Sequence, residues 1–231
     1  MSHKDAYTLF SYQETRITAD PSALGAPVFI FFLGAILARG VSLGVRLRRG
    51  IFASLAYLTS DITHYYGHIY SSRYANAPMN QVHLGAPMPI SIYDNNDVSP
   101  QAHKMRAIGG PIASGLSLLV LLVLRSLTRP NTALRDFFTA QCWVHGIIGF
   151  GSLAPIPFVD GGSILKWTMV ERGQTPEQAD ENVNEANIVF GGLIGGVGLV
   201  SLLFKKWWLA LGCLVMAAQF VAIGLGKLTI K

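Results

Sequence analysis

The feature that most constrains this chain is a series of long apolar runs, each close to the length of a membrane-spanning helix. Crossing the hydrocarbon core of a bilayer takes about 17–25 mostly apolar residues in a helix. Five runs approach that length: 27–45, 108–124, 137–153, 188–204 and 207–228. A sixth run, 51–70, contains more polar residues. Because backbone polar groups must bond internally in lipid, these runs predict helices.

The composition supports a membrane protein over a soluble helical one. Hydrophobic residues make up 51% of the chain and charged residues 13%, about half the roughly 25% that is typical of soluble domains. A soluble bundle would show amphipathic stripes, whereas 109–124 and 187–204 are apolar on every side. We therefore predict a multi-pass integral membrane protein whose first span acts as the insertion signal, with no cleavable signal peptide in the polar N-terminus.

The net charge of +5 does not indicate a nucleic-acid partner. The basic residues lie beside the ends of the predicted spans, where they would meet lipid headgroups. Lysine and arginine divide equally between the two sides of the membrane, and the positive-inside rule, which weights short loops, favours the cytoplasm for 46–49. Cys142 and Cys213 lie in separate predicted spans, so we expect small apolar packing residues, not a disulfide or a metal site.

The predicted fold is an all-α polytopic membrane protein with six spans and one short β element. A polar N-terminal arm, 1–24, precedes a single membrane domain, 25–228. The spans are expected at about 27–45, 51–70, 105–126, 134–153, 187–204 and 207–228, with a tight basic turn at 46–50 between the first two. Between spans 2 and 3, apolar residues fall on every second position of 82–92. Pro87 and Pro89 remove backbone donors there, which predicts an edge strand or irregular β-hairpin.

Two histidines near the end of span 2 are candidate metal ligands. The sequence reads Ser-Asp-Ile-Thr-His-Tyr-Tyr-Gly-His over 60–68. His64 and His68 are four residues apart, so their side chains project from one face of a helix and could bind one ion. The alternative for such a pair is hydrogen bonding to neighbouring helices.

A break between span 4 and the following acidic loop carries a candidate third ligand. Pro155 and Pro157 cannot continue a helix. Gly161 and Gly162 are expected to allow a sharp turn around Asp160. An ionisable group at membrane depth is costly and usually functional or paired. Asp160 could instead cap a helix that begins near Ser163, although capping does not explain why the break adjoins a span.

These elements together resemble the site-2 protease family of intramembrane zinc metallopeptidases, over roughly residues 25–225. That family carries a His-Glu-x-Gly-His motif, a Gly-Pro-x-x-Asn segment at the start of the helix after its hairpin, and an Asn-x-x-Pro-x-Pro-x-x-Asp-Gly-Gly motif. The matching residues are His64, Gly67, His68, Gly110, Pro111, Pro155, Pro157, Asp160, Gly161 and Gly162. The resemblance implies one zinc ion held by His64, His68 and Asp160, with a membrane protein as substrate or partner.

Three departures from the family pattern bear on activity. The general-base Glu is replaced by Tyr65, and the two Asn positions hold Ser152 and Ser114. A phenol with a reference pKa of about 10 is a poor base near neutral pH. Asp61, a turn before His64, is a possible substitute base.

The remaining histidines have less specific roles. His145, in span 4, could be a fourth ligand, and an interhelical hydrogen bond is the alternative. His83 and His103, in the connecting segment, are expected to be solvated.

Three functional classes remain open. The first hypothesis is a pseudoprotease that keeps the scaffold, with or without the zinc, and binds a transmembrane or membrane-associated partner. The second is an active intramembrane zinc protease that uses Asp61 or Tyr65 as base. The third is a subunit whose histidines ligate a pigment or haem, for which the Pro-x-Pro-x-x-Asp-Gly-Gly break would be unnecessary.

Overall fold

The computed structural model describes residues 6–86 and 88–228, and over these ranges the chain is mainly helical. Strands β1 and β2 come first, and a short 3-10 turn at Pro21–Leu24 leads into the helices. The elements are β1 (Tyr7–Tyr12), β2 (Thr15–Ala19), α1 (Gly25–Leu37), α2 (Leu43–Tyr74), β3 (Gln81–Leu84), β4 (Ile90–Ile92), α3 (Pro100–Ser126), α4 (Ala133–Gly151), α5 (Asp160–Glu171), α6 (Pro176–Leu203) and α7 (Trp207–Gly224).

The chain folds as two compact units. The first comprises the residues up to Val98 together with Ile108–Gly151, and so contains the strands, α1, α2, most of α3, and α4. The second comprises Ser99–Ala107 and the residues from Ser152 onward, which form the first turns of α3 and helices α5, α6 and α7.

Three of the described helices, α3, α6 and α7, are long and apolar enough to cross a membrane. Their large side chains point outward: Leu119 and Val123 of α3 are exposed, whereas its Gly110 and Ser114 are buried. This arrangement, with large apolar groups outside and small residues at helix contacts, suits lipid surroundings. The chain is therefore described as an integral membrane protein, and six spans remain a prediction.

The predicted basic turn at 46–50 is wrong. Helix α1 ends at Leu37, the chain reverses over 38–42, and α2 begins at Leu43 and runs for 32 residues. The arginines of 46–49 lie in the first turns of α2 because their charges have partners there. Arg46 donates through Nε to the carbonyl of Ala35, and Arg48 and Arg49 both contact Asp136.

The four strands form one sheet in the order β1-β2-β3-β4. Strands β1 and β2 are antiparallel, β2 and β3 are parallel, and β3 and β4 form the predicted hairpin between α2 and α3. Strand β3 ends at Leu84 and β4 begins at Ile90, so the predicted strand alternation over 82–92 is interrupted. Pro87 lies outside the described residues. Strands β1 and β2 fall within the predicted polar arm and were not anticipated.

One face of the sheet packs on α2. The core of this contact is formed by Ile17 of β2, Ile69 of α2, Met79 and Val82 of β3. Tyr65 packs against the same cluster. The sheet is thereby held against the part of α2 that carries His64 and His68.

Candidate metal centre

The two histidines of α2 lie on a fully buried stripe of small polar residues. Ser60, His64, His68 and Ser72 recur at intervals of four, and none is more than 7% exposed. The Nε2 atoms of His64 and His68 are 3.1 Å apart, and the two rings are edge to face. Both imidazoles therefore present the same nitrogen to one point.

The second ring nitrogen of His64 is held by α3. The Ser114 hydroxyl lies 3.0 Å from His64 Nδ1, and Ser114 is fully buried. A hydrogen bond at Nδ1 sets the ring orientation and leaves Nε2 as the ligand atom. From the sequence, Ser114 is only a replacement of the family's Asn; in the structure its hydroxyl contacts His64.

Gly110 keeps the space in front of both Nε2 atoms open. A Cβ at this position would lie 2.4 Å from His68 Nε2 and 2.5 Å from His64 Nε2. Helix α3 can come this close because Gly67 and Gly109 meet at the crossing, where the Cβ of either would collide with the other's carbonyl oxygen. Any side chain at 110 would occupy the volume that an ion would use. The predicted Gly-Pro segment lies inside α3, which begins ten residues before Gly110, and not at the helix start.

Asp160 begins helix α5 after the predicted break. The cap residue is Val159, so Asp160 is the first helical residue and not the cap that the alternative interpretation required. The loop closes on the helix through a hydrogen bond from the Gly161 amide to the Ser152 carbonyl, 2.7 Å long. A Cβ at Gly161 or Gly162 would lie about 2 Å from loop carbonyl oxygens. These glycines thus permit close backbone approach. The expected sharp turn at them is wrong, since both lie in the first turn of α5.

His64 and His68, in the first unit, offer two nitrogen ligand atoms for a metal ion, and Asp160, in the second unit, is the candidate third ligand. Two nitrogens bound to one tetrahedral zinc at about 2.0–2.1 Å are about 3.3 Å apart, close to the 3.1 Å between the histidine nitrogens. The open volume at Gly110 and the nitrogen and oxygen donors fit such an ion. Their assignment as zinc ligands is a proposal.

Tyr65 and Asp61 belong to a different stripe of α2. Together with Tyr57 and Ile69, also at intervals of four, they line an apolar cavity of about 640 Å³ beneath β1, β2 and the start of α1. The Tyr65 hydroxyl donates to the carbonyl of Pro89 at 2.6 Å. Asp61 is hydrogen-bonded to the Tyr57 hydroxyl.

The other predicted residues have structural partners. His145 is buried, and its Nδ1 donates to the Gln141 carbonyl of its own helix. His83 is not solvated: β2 covers it, with Thr18 Oγ1 3.1 Å from Nδ1 and Asp20 Oδ2 3.0 Å from Nε2. His103 is half-buried and stacks on Trp167 at 3.7 Å.

Comparison with known proteins defines the fold. No protein-family model matches the chain, and no curated protein sequence matches it. Among solved structures, it is similar to the site-2 protease from Methanocaldococcus jannaschii, with a TM-score of 0.55 and 14% identity. The match covers 98% of this chain and 96% of that chain. The chain therefore has the fold of a site-2 protease.

Proposed function

We propose that this protein is a site-2-protease-like scaffold that binds a membrane protein partner without cleaving it and holds a zinc ion through His64, His68 and Asp160. The buried Nε2 pair, the volume kept open by Gly110 and the Ser114 contact to His64 support the ion. When bound, zinc in such a site supplies a Lewis acid. In this chain, Ser114 orients one ligand, and the close packing of α2 and α3 excludes water around both histidines.

The observation that carries the proposal is the hydrogen bond of Tyr65. The resemblance places the general base at this position. The Tyr65 hydroxyl instead donates its proton to the Pro89 carbonyl, and its ring packs on the core beneath the sheet. A base must accept a proton within hydrogen-bond reach of the reacting group. A neutral phenol that already donates to the hairpin is poorly suited to that task.

The partner is proposed to be an apolar transmembrane or membrane-associated segment. The cavity lined by Tyr57, Asp61 and Tyr65 is bounded by the sheet and by the beginning of α1. Strand β4 is the outer strand beside β3, so an extended segment could add to this edge through backbone hydrogen bonds. The same surfaces would suit a substrate in an active enzyme, in which Asp61 would be the general base.

Zinc content and proteolysis test the two parts of the proposal separately. Detergent-purified protein is expected to contain about one zinc per chain, and His64→Ala should remove most of it. His145→Ala is the matched control, because it removes another buried histidine outside the ligand group. Wild-type protein free of zinc, or His145→Ala protein that loses it equally, would contradict the metal assignment.

Proteolysis of a transmembrane substrate should be undetectable or very weak in the native protein, since losing a general base costs about 10²–10⁴-fold. Tyr65→Glu restores a carboxylate next to His64 and should produce measurable cleavage, which Ser152→Asn should increase. If the native protein cleaves, and Asp61→Asn abolishes cleavage at unchanged zinc content, Asp61 is the base and the pseudoprotease proposal is wrong.

A further inference from the structure

A second cavity, which is polar, lies in the first unit at the beginnings of α2 and α4. It has a volume of about 330 Å³ and is lined by Val45, Arg48, Arg49, Pro130, Asn131, Arg135 and Asp136. Three guanidinium groups and one carboxylate therefore face it, a formal excess of two positive charges.

The arginines are held in place by the fold. Asp136 accepts from Arg48 Nη2 at 3.0 Å and from Arg49 Nε and Nη2 at 3.3 Å, so one carboxylate holds both guanidiniums. Arg135 is anchored through Nη1 to the carbonyls of Arg125 and Thr128 at the end of α3. The three positive charges are thus kept near one another although they repel.

The guanidiniums remain reachable from outside. The side chains of Arg48 and Arg49 are 39% and 42% exposed, while Asp136 is 23% exposed. One carboxylate cannot neutralise three guanidiniums, so the cavity would be stabilised by an added anion. Arginine binds phosphate oxygens with paired, charge-assisted hydrogen bonds. Helix α4 begins at the cavity, and its N-terminal end also favours negative charge.

We propose that this cavity binds a phosphate group, presented by an anionic lipid or as free phosphate. Its position favours the lipid. Arg125, at the end of the membrane-length helix α3, donates to Thr139 of α4, so the cavity lies among residues at a helix end where headgroups would meet the protein. Basic pockets at such positions bind lipid headgroups.

The test is native mass spectrometry of the full chain in neutral detergent, with phosphatidylglycerol or phosphatidylcholine added at equal concentration. The wild type should bind phosphatidylglycerol preferentially. Arg48→Gln with Arg49→Gln should weaken that binding about tenfold or more. Arg39→Gln with Arg129→Gln removes the same charge from exposed positions outside the cavity and should change it less than twofold. Equal losses in both double variants, or no preference between the lipids, would overturn the proposal.

Asp136→Asn keeps all three arginines, and it tests the phosphate proposal if the Arg48→Gln/Arg49→Gln variant does not fold. The amide keeps one oxygen that can accept from Arg48 or Arg49, and loss of the internal negative charge should tighten phosphatidylglycerol binding about threefold or more. Unchanged or weaker binding would overturn the proposal. Adding millimolar inorganic phosphate distinguishes the two sources: displacement of the lipid shows that free phosphate occupies the cavity, and persistence of the lipid adduct shows that the site requires the lipid headgroup.

Discussion

Gly110→Ala is the sharpest perturbation of the proposed zinc site. The added Cβ would lie 2.4 Å from His68 Nε2 and 2.5 Å from His64 Nε2, where ordinary contact begins at 3.4 Å. The rings or helix α3 must then move by about 1 Å. Zinc–ligand distances tolerate only about 0.2 Å, so zinc affinity should fall by more than the roughly 10–100-fold typical of changes behind the ligands. Overpacking should also cost about 1–3 kcal/mol in the free energy of unfolding.

The matched control is Gly115→Ala on the same helix, where an added Cβ has nothing within 4 Å. This variant should keep wild-type zinc affinity and be slightly more stable, by up to about 1 kcal/mol. The assay is zinc titration of detergent-purified apoprotein against a competing chelator, with thermal unfolding measured in parallel. If folded Gly110→Ala binds zinc as tightly as Gly115→Ala, the ion does not occupy the space between the two histidines and the reasoning fails.

Two further predictions concern neighbouring groups. Ser114→Ala removes the hydroxyl that orients His64 and should lower zinc affinity about 10–100-fold, whereas Ser117→Ala on the same helix should not; equal titrations would refute the orienting role. The Ser22 hydroxyl and amide, with a smaller contribution from His83, lower the pKa of Asp20, so its stabilising effect is present above the unfolded-state pKa and is lost as the pH falls through the folded-state pKa. Asp20→Asn should therefore unfold at a lower temperature than Asp97→Asn near neutral pH, and the two variants should unfold at similar temperatures in strong acid. A difference in unfolding temperature that does not change with pH would contradict this role of Asp20.

Much of the helical framework could be predicted because apolar runs are local. The predicted spans at 105–126, 134–153, 187–204 and 207–228 each overlap one helix of the structure. The ends were harder to place. Charged residues at 46–49 suggested a turn, yet their partners, Ala35 and Asp136, are supplied by other helices. A partner distant in sequence cannot be read from the composition of one segment.

Strands β1 and β2 and the burial of His83 were missed for the same reason. Segment 7–19 has little apolar periodicity. Its two strands join the sheet because β2 pairs in parallel with β3, more than 60 residues away, and β1 pairs with β2. That pairing covers His83 with Thr18 and Asp20. The alternation within 82–92 was a local signal and did identify the hairpin.

The sequence by itself determined the membrane character, the helical spacing that pairs His64 with His68, and the break that leads to Asp160, because each depends on residues adjacent in the chain. Only the tertiary structure decided what surrounds them. Helix α3 comes close enough for Ser114 to contact His64 and for Gly110 to be necessary, and the hairpin places the Pro89 carbonyl where the Tyr65 hydroxyl donates. Contacts between segments depend on how the helices and the sheet pack, and the spacing of residues along one helix does not specify that packing.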